Sequence, residues 1–298
     1  MADPVDDGDD AGGGADASNG VPRCVVETID DASKGLDLCG DLFRSEPIRS
    51  TPVTTSLYPG RASALLRVSN GADTVGVAAE EAEGYTLTPL GAGAAAALAD
   101  VLPIDRPSTL LGAPGDVADV AGRWSERCDG AVGTGTMFRW YRLAELVETR
   151  KHKGALRVAD TASIDRAASW MVAFGEDVGL PLSSDAAAAR VGDAIHEGRL
   201  FEWVVGDEVV SQLTISPARF GVVRINGVYT PPKLRKDGHS SAITAAAAAQ
   251  QISRQKVDDV VIDQPASTGV TNRMYRRLGF VSVWDTLAVH LIPGPSRR

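Results

Sequence analysis

One stretch, VYTPPKLRKDGHSSA (228–242), constrains the fold more than any other part of the sequence. An apolar strand end turns through two prolines, becomes basic, reaches Gly238 and passes directly into an alanine-rich helix. The start of a helix presents unpaired N–H groups and a partial positive charge, so it attracts anions where the preceding backbone can approach a ligand. Gly238 permits that approach because it has no Cβ, and Lys233, Arg235 and Lys236 add positive charge. The pattern predicts a phosphate-binding turn.

This turn matches neither of the common nucleotide-binding motifs. No Lys-Ser or Lys-Thr pair follows Gly238, as a mononucleotide P-loop would require. A single glycine cannot form the GxGxxG dinucleotide fingerprint either. The elements on each side of the turn must therefore identify the site.

Composition separates an acidic start from the rest of the chain. The 298 residues carry a formal charge of −9, but residues 1–22 hold six Asp and no Lys or Arg, so the remainder carries −3. Residues 1–22 have too little apolar surface to offset the entropy of ordering, and we expect a disordered acidic leader there. Nucleic-acid binding would require a basic face, and nothing in the sequence indicates one.

Several classes of protein are not expected. The chain has no apolar run of about 18 residues and no basic-then-apolar secretory signal, so we expect neither membrane insertion nor export and assign the protein to the cytoplasm. Cys24, Cys39 and Cys128 are far apart and odd in number, which favours reduced thiols. The four histidines are scattered, so no metal site is predicted.

Periodicity divides the rest of the chain into two α/β segments, 23–147 and 154–298, joined by a basic polar linker at 148–153. In the second segment a strand and two helices precede a hairpin that turns at Gly206-Asp207. A strand, a helix, a strand, a helix and one or two final strands follow. This order predicts an α/β fold of the α+β mixed-sheet kind, with helices on both faces of the sheet.

The second segment, 154–298, resembles the GCN5-related N-acetyltransferase (GNAT) superfamily, whose acetyl-CoA loop reads Arg/Gln-x-x-Gly-x-Gly/Ala between the fourth strand and the third helix. Here the loop is RKDGHS (235–240), and Ser240 departs from the Gly or Ala of the pattern. The preceding VYTPP and the later NRMYRRLGF resemble a bacterial two-domain branch. The resemblance implies a GNAT fold in this half and acetyl-CoA as cosubstrate. It also implies direct acetyl transfer, in a ternary complex, to the primary amine of a small molecule or peptide.

The first segment lacks an Arg-x-x-Gly turn before its own alanine-rich helix, GAGAAAALADVL. We expect it to be a degenerate GNAT-like copy that binds no coenzyme and shapes the acceptor cleft of the second half.

The resemblance also implies where the coenzyme lies. Asn226 and Gly227 interrupt their strand, which predicts a bulge that separates it from DDVVID. Pantetheine would then pair with the backbone of Val228 and Thr230, and an N–H near Val228 or Tyr229 would stabilise the oxyanion. The predicted coenzyme-binding residues are Val228, Tyr229, Thr230, Arg235, Lys236, Asp237, Gly238, His239, Ser240, Ser241, Asn272 and Tyr275.

Three residues are predicted to be catalytic, each with an alternative. Tyr275, one helical turn from Asn272, is expected to protonate the departing thiolate, or else to be a core tyrosine. Asp263 is the first choice of base and Glu202 the second; a water relay, with both as solvated strand-end charges, is the alternative. Ser240 and the long turn QPASTGVT both depart from the GNAT pattern. These departures leave an alternative function, a non-catalytic acyl-CoA-binding or sensor module.

Overall fold

A single mixed β-sheet runs through both halves of the chain in the computed structural model, which describes residues 24–57, 61–147, 152–180 and 182–295. The expected acidic leader (1–22) and residues 148–151 of the expected linker (148–153) lie outside the described residues. Within the described residues, no helix is long and apolar enough to cross a membrane.

The first half begins with a strand and three short helices, followed by alternating strands and helices. Its elements are β1 (Val25–Ile29), α1 (Ala32–Leu38), α2 (Gly40–Ser45), α3 (Pro47–Ser56), β2 (Ala62–Asn70), β3 (Asp73–Glu81), β4 (Gly84–Leu87), α4 (Ala94–Val101), β5 (Ser108–Gly112), α5 (Pro114–Cys128), β6 (Ala131–Val132) and β7 (Thr136–Leu143).

The second half has the predicted order of elements, and its last segment is one long strand. The elements are β8 (Ala155–Val158), α6 (Ile164–Val178), α7 (Ser184–His196), β9 (Leu200–Val205), β10 (Glu208–Ile215), β11 (Val222–Tyr229), α8 (His239–Ile252), β12 (Asp259–Pro265), α9 (Gly269–Arg277) and β13 (Phe280–Ile292).

The strand order is symmetrical about the middle of the sheet. It runs β1-β2-β3-β4-β5-β13-β7-β12-β11-β10-β9-β8, with β6 paired to β13 beside this path. Each half contributes one parallel pair, β4 with β5 and β11 with β12, and the remaining pairs are antiparallel. This confirms the predicted mixed sheet, and it gives the first half the same topology as the second.

The two halves exchange strands at the centre of the sheet. Strand β7 belongs to the first half in sequence, yet it lies between β12 and β13. Strand β13 in turn lies between β7 and β5 of the first half. Arg139 on β7 donates to Asp285 on β13 through two bonds of 3.0 and 3.1 Å, and Trp140 Nε1 donates to Thr286 Oγ1 at 3.1 Å. The halves therefore share one hydrogen-bonded sheet.

Alternation along β11 assigns its two faces to different cores. Val223 and Ile225 pack in a core with Ile243 and Ala247 of α8. Val222 faces the other way, into a cluster with Trp140 and Val261 to which α3 of the first half contributes Ile48. A strand alternates its side chains between faces, so the helix of the predicted phosphate turn and the first-half helix α3 cover opposite faces.

Helix α3 is not predicted from the sequence, because PIRSTPVTTS is poor in strong helix formers. Pro47 occupies the first turn, where its missing N–H costs nothing. The hydroxyl of Thr55 donates to the carbonyl of Thr51 at 2.8 Å, and Ser56 donates to Pro52 at 3.0 Å. These bonds satisfy the hydroxyls of Thr55 and Ser56 in a helix that is buried along most of its length, while the buried Ser50 Oγ has no partner among the described residues.

The exchange predicts that the second half does not fold alone. A fragment of residues 152–298 retains β12 and β13 but lacks β7 between them, so both strands present unpaired edges. We expect it to aggregate, or to show no cooperative unfolding in circular dichroism. Co-expression with residues 24–147 should restore a cooperative transition. A monomeric fragment that unfolds cooperatively at the temperature of the intact chain would contradict the prediction.

Candidate functional site

A gap opens between β11 and β12 at the carboxyl end of both strands. The two strands pair in parallel from Val222–Asp259 to Ile225–Ile262. Beyond that pair β11 continues to Tyr229 and β12 to Pro265, and these described segments form no ladder with each other. The last paired residue of β11, Ile225, is followed directly by Asn226 and Gly227, where the bulge is predicted.

The bulge explains why the strands separate. Gln212 of β10 lies opposite Tyr229 and Thr214 lies opposite Asn226, so β11 has one more residue than β10 in this interval. Gly227 has a φ of +60°, a left-handed conformation that glycine adopts without strain. The N–H of Gly227 donates to the Asn226 side chain at 2.9 Å. Both residues therefore produce the bulge that the sequence predicts.

The turn after the gap leads into an uncapped helix start. Gly238 is the N-cap of α8 with a φ of +83°, and Lys236 also has a positive φ, of +79°. No described side chain caps the helix, and its first backbone bond runs from Ala242 N–H to the Gly238 carbonyl at 2.9 Å. The N–H groups of the residues between them have no partner further back in the helix. This is the geometry of an anion site.

Ser240 faces inward from this turn. Its Oγ lies 2.7 Å from Thr230 Oγ1, which donates to Ser211 Oγ at 2.9 Å, and Ser211 Oγ donates to the Tyr229 carbonyl at 2.9 Å. Thr230 and Ser211 are buried. The Ser240 hydroxyl thus completes a buried hydrogen-bond chain between the turn and strands β10 and β11.

Arg235 also turns away from the helix start. Its Nε donates to the Thr230 carbonyl at 2.9 Å, its Nη2 donates to Asp177 of α6 at 2.5 Å, and its guanidinium lies 5.7 Å from the centre of the Tyr229 ring. Arg235 therefore fastens the turn to α6. Lys236 and Asp237 of the turn are exposed, and Ser241 is half-buried. The Nδ1 atom of His239, at the start of α8, is buried and has no hydrogen-bond partner among the described residues.

His152, which the sequence places in the linker, contacts the predicted phosphate-binding turn, and this contact is not itself predicted. A Cβ built on Gly238 would lie 2.2 Å from His152 Cε1, so the imidazole packs directly on the glycine. In the first half, Cys24 takes the equivalent place: a Cβ on Gly93, the left-handed N-cap of α4, would lie 3.2 Å from Cys24 Sγ. No spacing pattern in the sequence connects either residue with its glycine.

The equivalent gap in the first half is closed. A Cβ on Gly112 of β5 would lie 2.9 Å from Leu87 Cβ, so the Leu87 side chain fills the space beside β4. The N–H of Leu90, in the turn that precedes α4, donates to an Asp116 carboxylate oxygen at 3.0 Å. A carboxylate already occupies part of this turn and repels other anions.

Tyr275 and Asn272 share the buried face of α9, as their spacing predicts. The Tyr275 ring packs beside Tyr141 and Phe280, with centroids 5.9 and 6.0 Å away. Its hydroxyl has no hydrogen-bond partner among the described residues. Burial, with a smaller contribution from the Asp263 carboxylate, raises the pKa of Tyr275 above its usual range.

Asn272 is held by the protein rather than left free for a ligand. Its Oδ1 accepts from the Tyr141 hydroxyl at 2.5 Å and from Gln264 Nε2, and its Nδ2 donates to the Ala266 carbonyl at 3.0 Å. These contacts tie α9 to the end of β12 and to the turn that follows. They support a structural role for Asn272.

Both carboxylates predicted as bases are paired with arginines. Arg224 Nε donates to Asp263 Oδ1 at 2.7 Å, and the guanidinium of Arg224 lies over the Trp140 ring. Glu202 is fully buried; Arg157 donates to its Oε2 at 2.6 and 3.1 Å, and Arg166 donates to its Oε1. A base needs a free oxygen within reach of the proton, so this arrangement favours a structural role for Glu202.

A cavity of about 230 Å³ adjoins the bulge on the α6 side of the sheet. Both halves line it, and one end is formed by Asn226 and Gly227. The other lining residues are Thr55, Arg61, Met171, Phe174, Gly175, Val178, Leu180, Leu182, Arg190, Asp193, Ala194, Arg199, Thr214, Ile215, Ser216, Pro217 and Arg224. Among the described residues, no group of three or more His, Cys, Asp or Glu is arranged to hold a metal ion.

Solved structures of other proteins share this fold. A Drosophila protein matches at 12% identity with a TM-score of 0.64, over 91% of this chain and 99% of its own. A GCN5-related N-acetyltransferase from Sphaerobacter thermophilus matches at 14% identity with a TM-score of 0.56, over 90% and 96%. A tandem GNAT protein from the clavulanic acid biosynthesis pathway matches at 14% identity with a TM-score of 0.54, over 91% and 99%. No protein-family model and no curated protein matches the sequence.

The geometry of Glu202 generates a prediction that separates a structural role from a catalytic one. Glu202→Gln leaves two guanidinium groups without their shared carboxylate, and we expect a loss of about 3–5 kcal/mol in the free energy of unfolding, measured with urea. Turnover per folded molecule should stay within about threefold of the unchanged protein. A stable Glu202→Gln variant whose turnover falls on the order of 100-fold would instead identify Glu202 as the base.

Proposed function

Because the chain has the GNAT fold, we propose that it transfers the acetyl group of acetyl-CoA to a primary amine by direct attack within a ternary complex. The observation that carries this proposal is the gap between β11 and β12, which opens beside the uncapped start of α8. A thiol arm and a diphosphate are the two parts of acetyl-CoA that such a pair of features would accept.

The residues at the turn fit a diphosphate. The N–H groups at the start of α8, between Gly238 and Ala242, have no partner further back in the helix, and the partial positive charge of the helix favours an anion there. Lys236 is exposed beside them, and the buried Nδ1 of His239 has no partner among the described residues. In this proposal Arg235 and Ser240 hold the turn in shape, and the backbone of the turn contacts the phosphates.

The unpaired end of β11 fits the pantetheine arm. An extended chain with two amides pairs with an exposed strand edge as an added strand would. Val228 lies between Asn226 and Tyr229, the residues of β11 that pair in register with β10. Val228 itself has no partner among the described residues of β12. The N–H of Val228 or Tyr229 would then point toward the acetyl carbonyl and stabilise the oxyanion.

The reaction needs no covalent enzyme intermediate. The amine nitrogen forms a bond to the acetyl carbon, the tetrahedral intermediate collapses and the carbon–sulfur bond breaks. One proton leaves the amine, and the coenzyme thiolate takes up one proton from the Tyr275 hydroxyl, which solvent then reprotonates. All three cysteines belong to the first half, and none lies in the second-half segment that carries the gap.

Two carboxylates near the gap and the cavity can receive the proton of the amine. Asp263 stands at the end of β12 beside the gap, and Arg224 holds one of its oxygens. Asp193 lines the cavity and is exposed, so it offers a second route, alone or through water. We propose that the proton leaves through water toward one of these two carboxylates.

One observation favours the rival, an acyl-CoA-binding or sensor module without chemistry. Both carboxylates that the sequence suggests as bases are engaged by arginines, which is the state expected of a site that has lost proton transfer. Thiol release from acetyl-CoA in the presence of pooled amines separates the two functions. Release supports the enzyme, and coenzyme binding without release across a broad panel supports the sensor.

The turn yields a prediction about coenzyme binding. Gly238→Asp places a Cβ against the His152 ring and a negative charge at the helix start, so we expect acetyl-CoA binding to disappear in calorimetry. Gly71→Asp is the matched control, because Gly71 also has a positive φ, of +63°, and nothing lies near its Cβ position. The control should bind acetyl-CoA normally. Unchanged binding by Gly238→Asp would refute the assignment of the site.

Tyr275 yields a prediction about turnover and pH. Tyr275→Phe should lower kcat on the order of 100-fold while the Kd for acetyl-CoA stays unchanged, since only proton donation is lost. Tyr85→Phe, which removes a hydroxyl from the first half, should leave kcat unchanged.

Because the pKa of Tyr275 is raised, its hydroxyl stays protonated below the ordinary tyrosine pKa of about 10. The kcat of the unchanged protein should therefore show no decline caused by the Tyr275 hydroxyl between about pH 7 and 10. Equal kcat values for Tyr275→Phe and the unchanged protein would exclude Tyr275 as the proton donor to the thiolate.

A further inference from the structure

The cavity beside the bulge is lined by four arginines from both halves of the chain. Arg61 comes from the first half, just before β2, whereas Arg190, Arg199 and Arg224 come from the second. Asp193 is the one carboxylate among the described residues that line the same space. A small cavity with this lining attracts negative charge.

Two of these arginines are already bound within the protein. Arg224 donates to Asp263 at 2.7 Å. Arg199 donates to Glu197 at 2.9 Å and to the Ile215 carbonyl at 3.2 Å. The charges of these two arginines contribute to the electrostatic potential of the cavity. The N–H groups named here already donate to acceptors within the protein, so they are not available to a ligand.

Arg61 is bound much less well. The nearest carboxylate oxygen, Glu81 Oε2, lies 4.0 Å from its Nη2, at the limit of an ion pair. The other oxygen of Glu81 accepts from the hydroxyls of Ser56 and Thr86. Arg61 Nε is buried and has no hydrogen-bond partner among the described residues. A buried donor of this kind costs free energy until an acceptor reaches it.

Arg190 supplies a second free guanidinium at the rim. It lies on the exposed side of α7, and it forms no ion pair with the described residues. Arg190 and Arg61 line the same cavity. Burial is the main reason that the pKa of Arg61 falls to about 10, so the side chain is still charged at neutral pH.

We propose that the amine acceptor carries a carboxylate or phosphate, which Arg61 and Arg190 bind in this cavity while the amine faces the bulge at Asn226 and Gly227. This inference rests on the proposed acetyl transfer. The planar guanidinium matches the oxygen pairs of either anion and satisfies the unpaired Nε of Arg61. The first half of the chain therefore takes part in substrate selection, although its own gap is closed.

Matched amines test the acceptor class. Each pair consists of an amine that carries an anionic group and the same amine without that group. The pairs are amino acids with their amides, and 2-aminoethyl phosphate with ethanolamine. Spermidine serves as a cationic comparison. We expect kcat/KM for the anionic member of the accepted pair to exceed that of the neutral member by about 10- to 100-fold. Equal use of neutral or cationic amines would overturn the inference and leave acetyl transfer intact.

Variants then assign the preference to the two arginines. Arg61→Ala and Arg190→Ala should each raise KM for the anionic amine at least about tenfold and reduce the preference within the pair, with the Kd for acetyl-CoA unchanged. Arg123→Ala, on the exposed surface of α5, removes the same charge far from the cavity and should change neither value. Arg190 is exposed, so its variant tests the inference even where Arg61→Ala fails to fold. Full preference in both folded variants would overturn the assignment.

A binding measurement gives an answer independent of turnover. With CoA present to occupy the turn, inorganic phosphate should raise the melting temperature of the unchanged protein and of Arg123→Ala above that in chloride of equal ionic strength. The shift should be smaller in Arg190→Ala. An equal shift in all three proteins would overturn the inference, whereas loss of CoA binding itself would count against the proposed function.

Discussion

The exchange of β7 and β13 at the centre of the sheet is the constraint on which the rest of the structure depends. Each of these strands lies beside a strand of the other half, so neither half completes its sheet from its own residues. The bidentate Arg139–Asp285 pair and the Trp140–Thr286 bond fix the register across this seam. Because the register is fixed, the first-half helix α3 is held over the face of β11 and β12 that bears Val222 and Val261. The cavity between the halves is a product of that placement.

The two halves share one topology but differ in the structure of their parallel strand pair. In the second half, one extra residue at the bulge ends the pairing of β11 with β12 and leaves a gap. In the first half, Leu87 packs against Gly112 and Asp116 binds the turn that precedes α4. One inserted residue thus distinguishes the open strand pair from the closed one. The first half nevertheless contributes Thr55 and Arg61 to the lining of the cavity beside the open pair.

Much of the second half could be predicted from the sequence, because local rules determine it. Asn226 and Gly227 marked the bulge, and Gly238 marked the helix start. The predictions missed α3, whose threonines favour strands and whose stability comes from burial and from hydroxyl bonds to its own carbonyls. They missed β1 and did not foresee the strand exchange, because pairing between distant strands leaves no periodic signal. The directions of Arg235 and Ser240 also escaped prediction: both depend on partners, Asp177 and Thr230, that the fold brings near.

The link between Arg235 and Asp177 has a consequence for the order of events. Asp177 lies in the last turn of α6, and the same helix lines the cavity through Met171, Phe174 and Val178. One ion pair and one helix therefore connect the turn with the cavity. In the proposed acetyl transfer, this connection would make the affinity of the cavity for the amine depend on whether acetyl-CoA occupies the turn, and such a dependence favours an ordered binding of the two substrates.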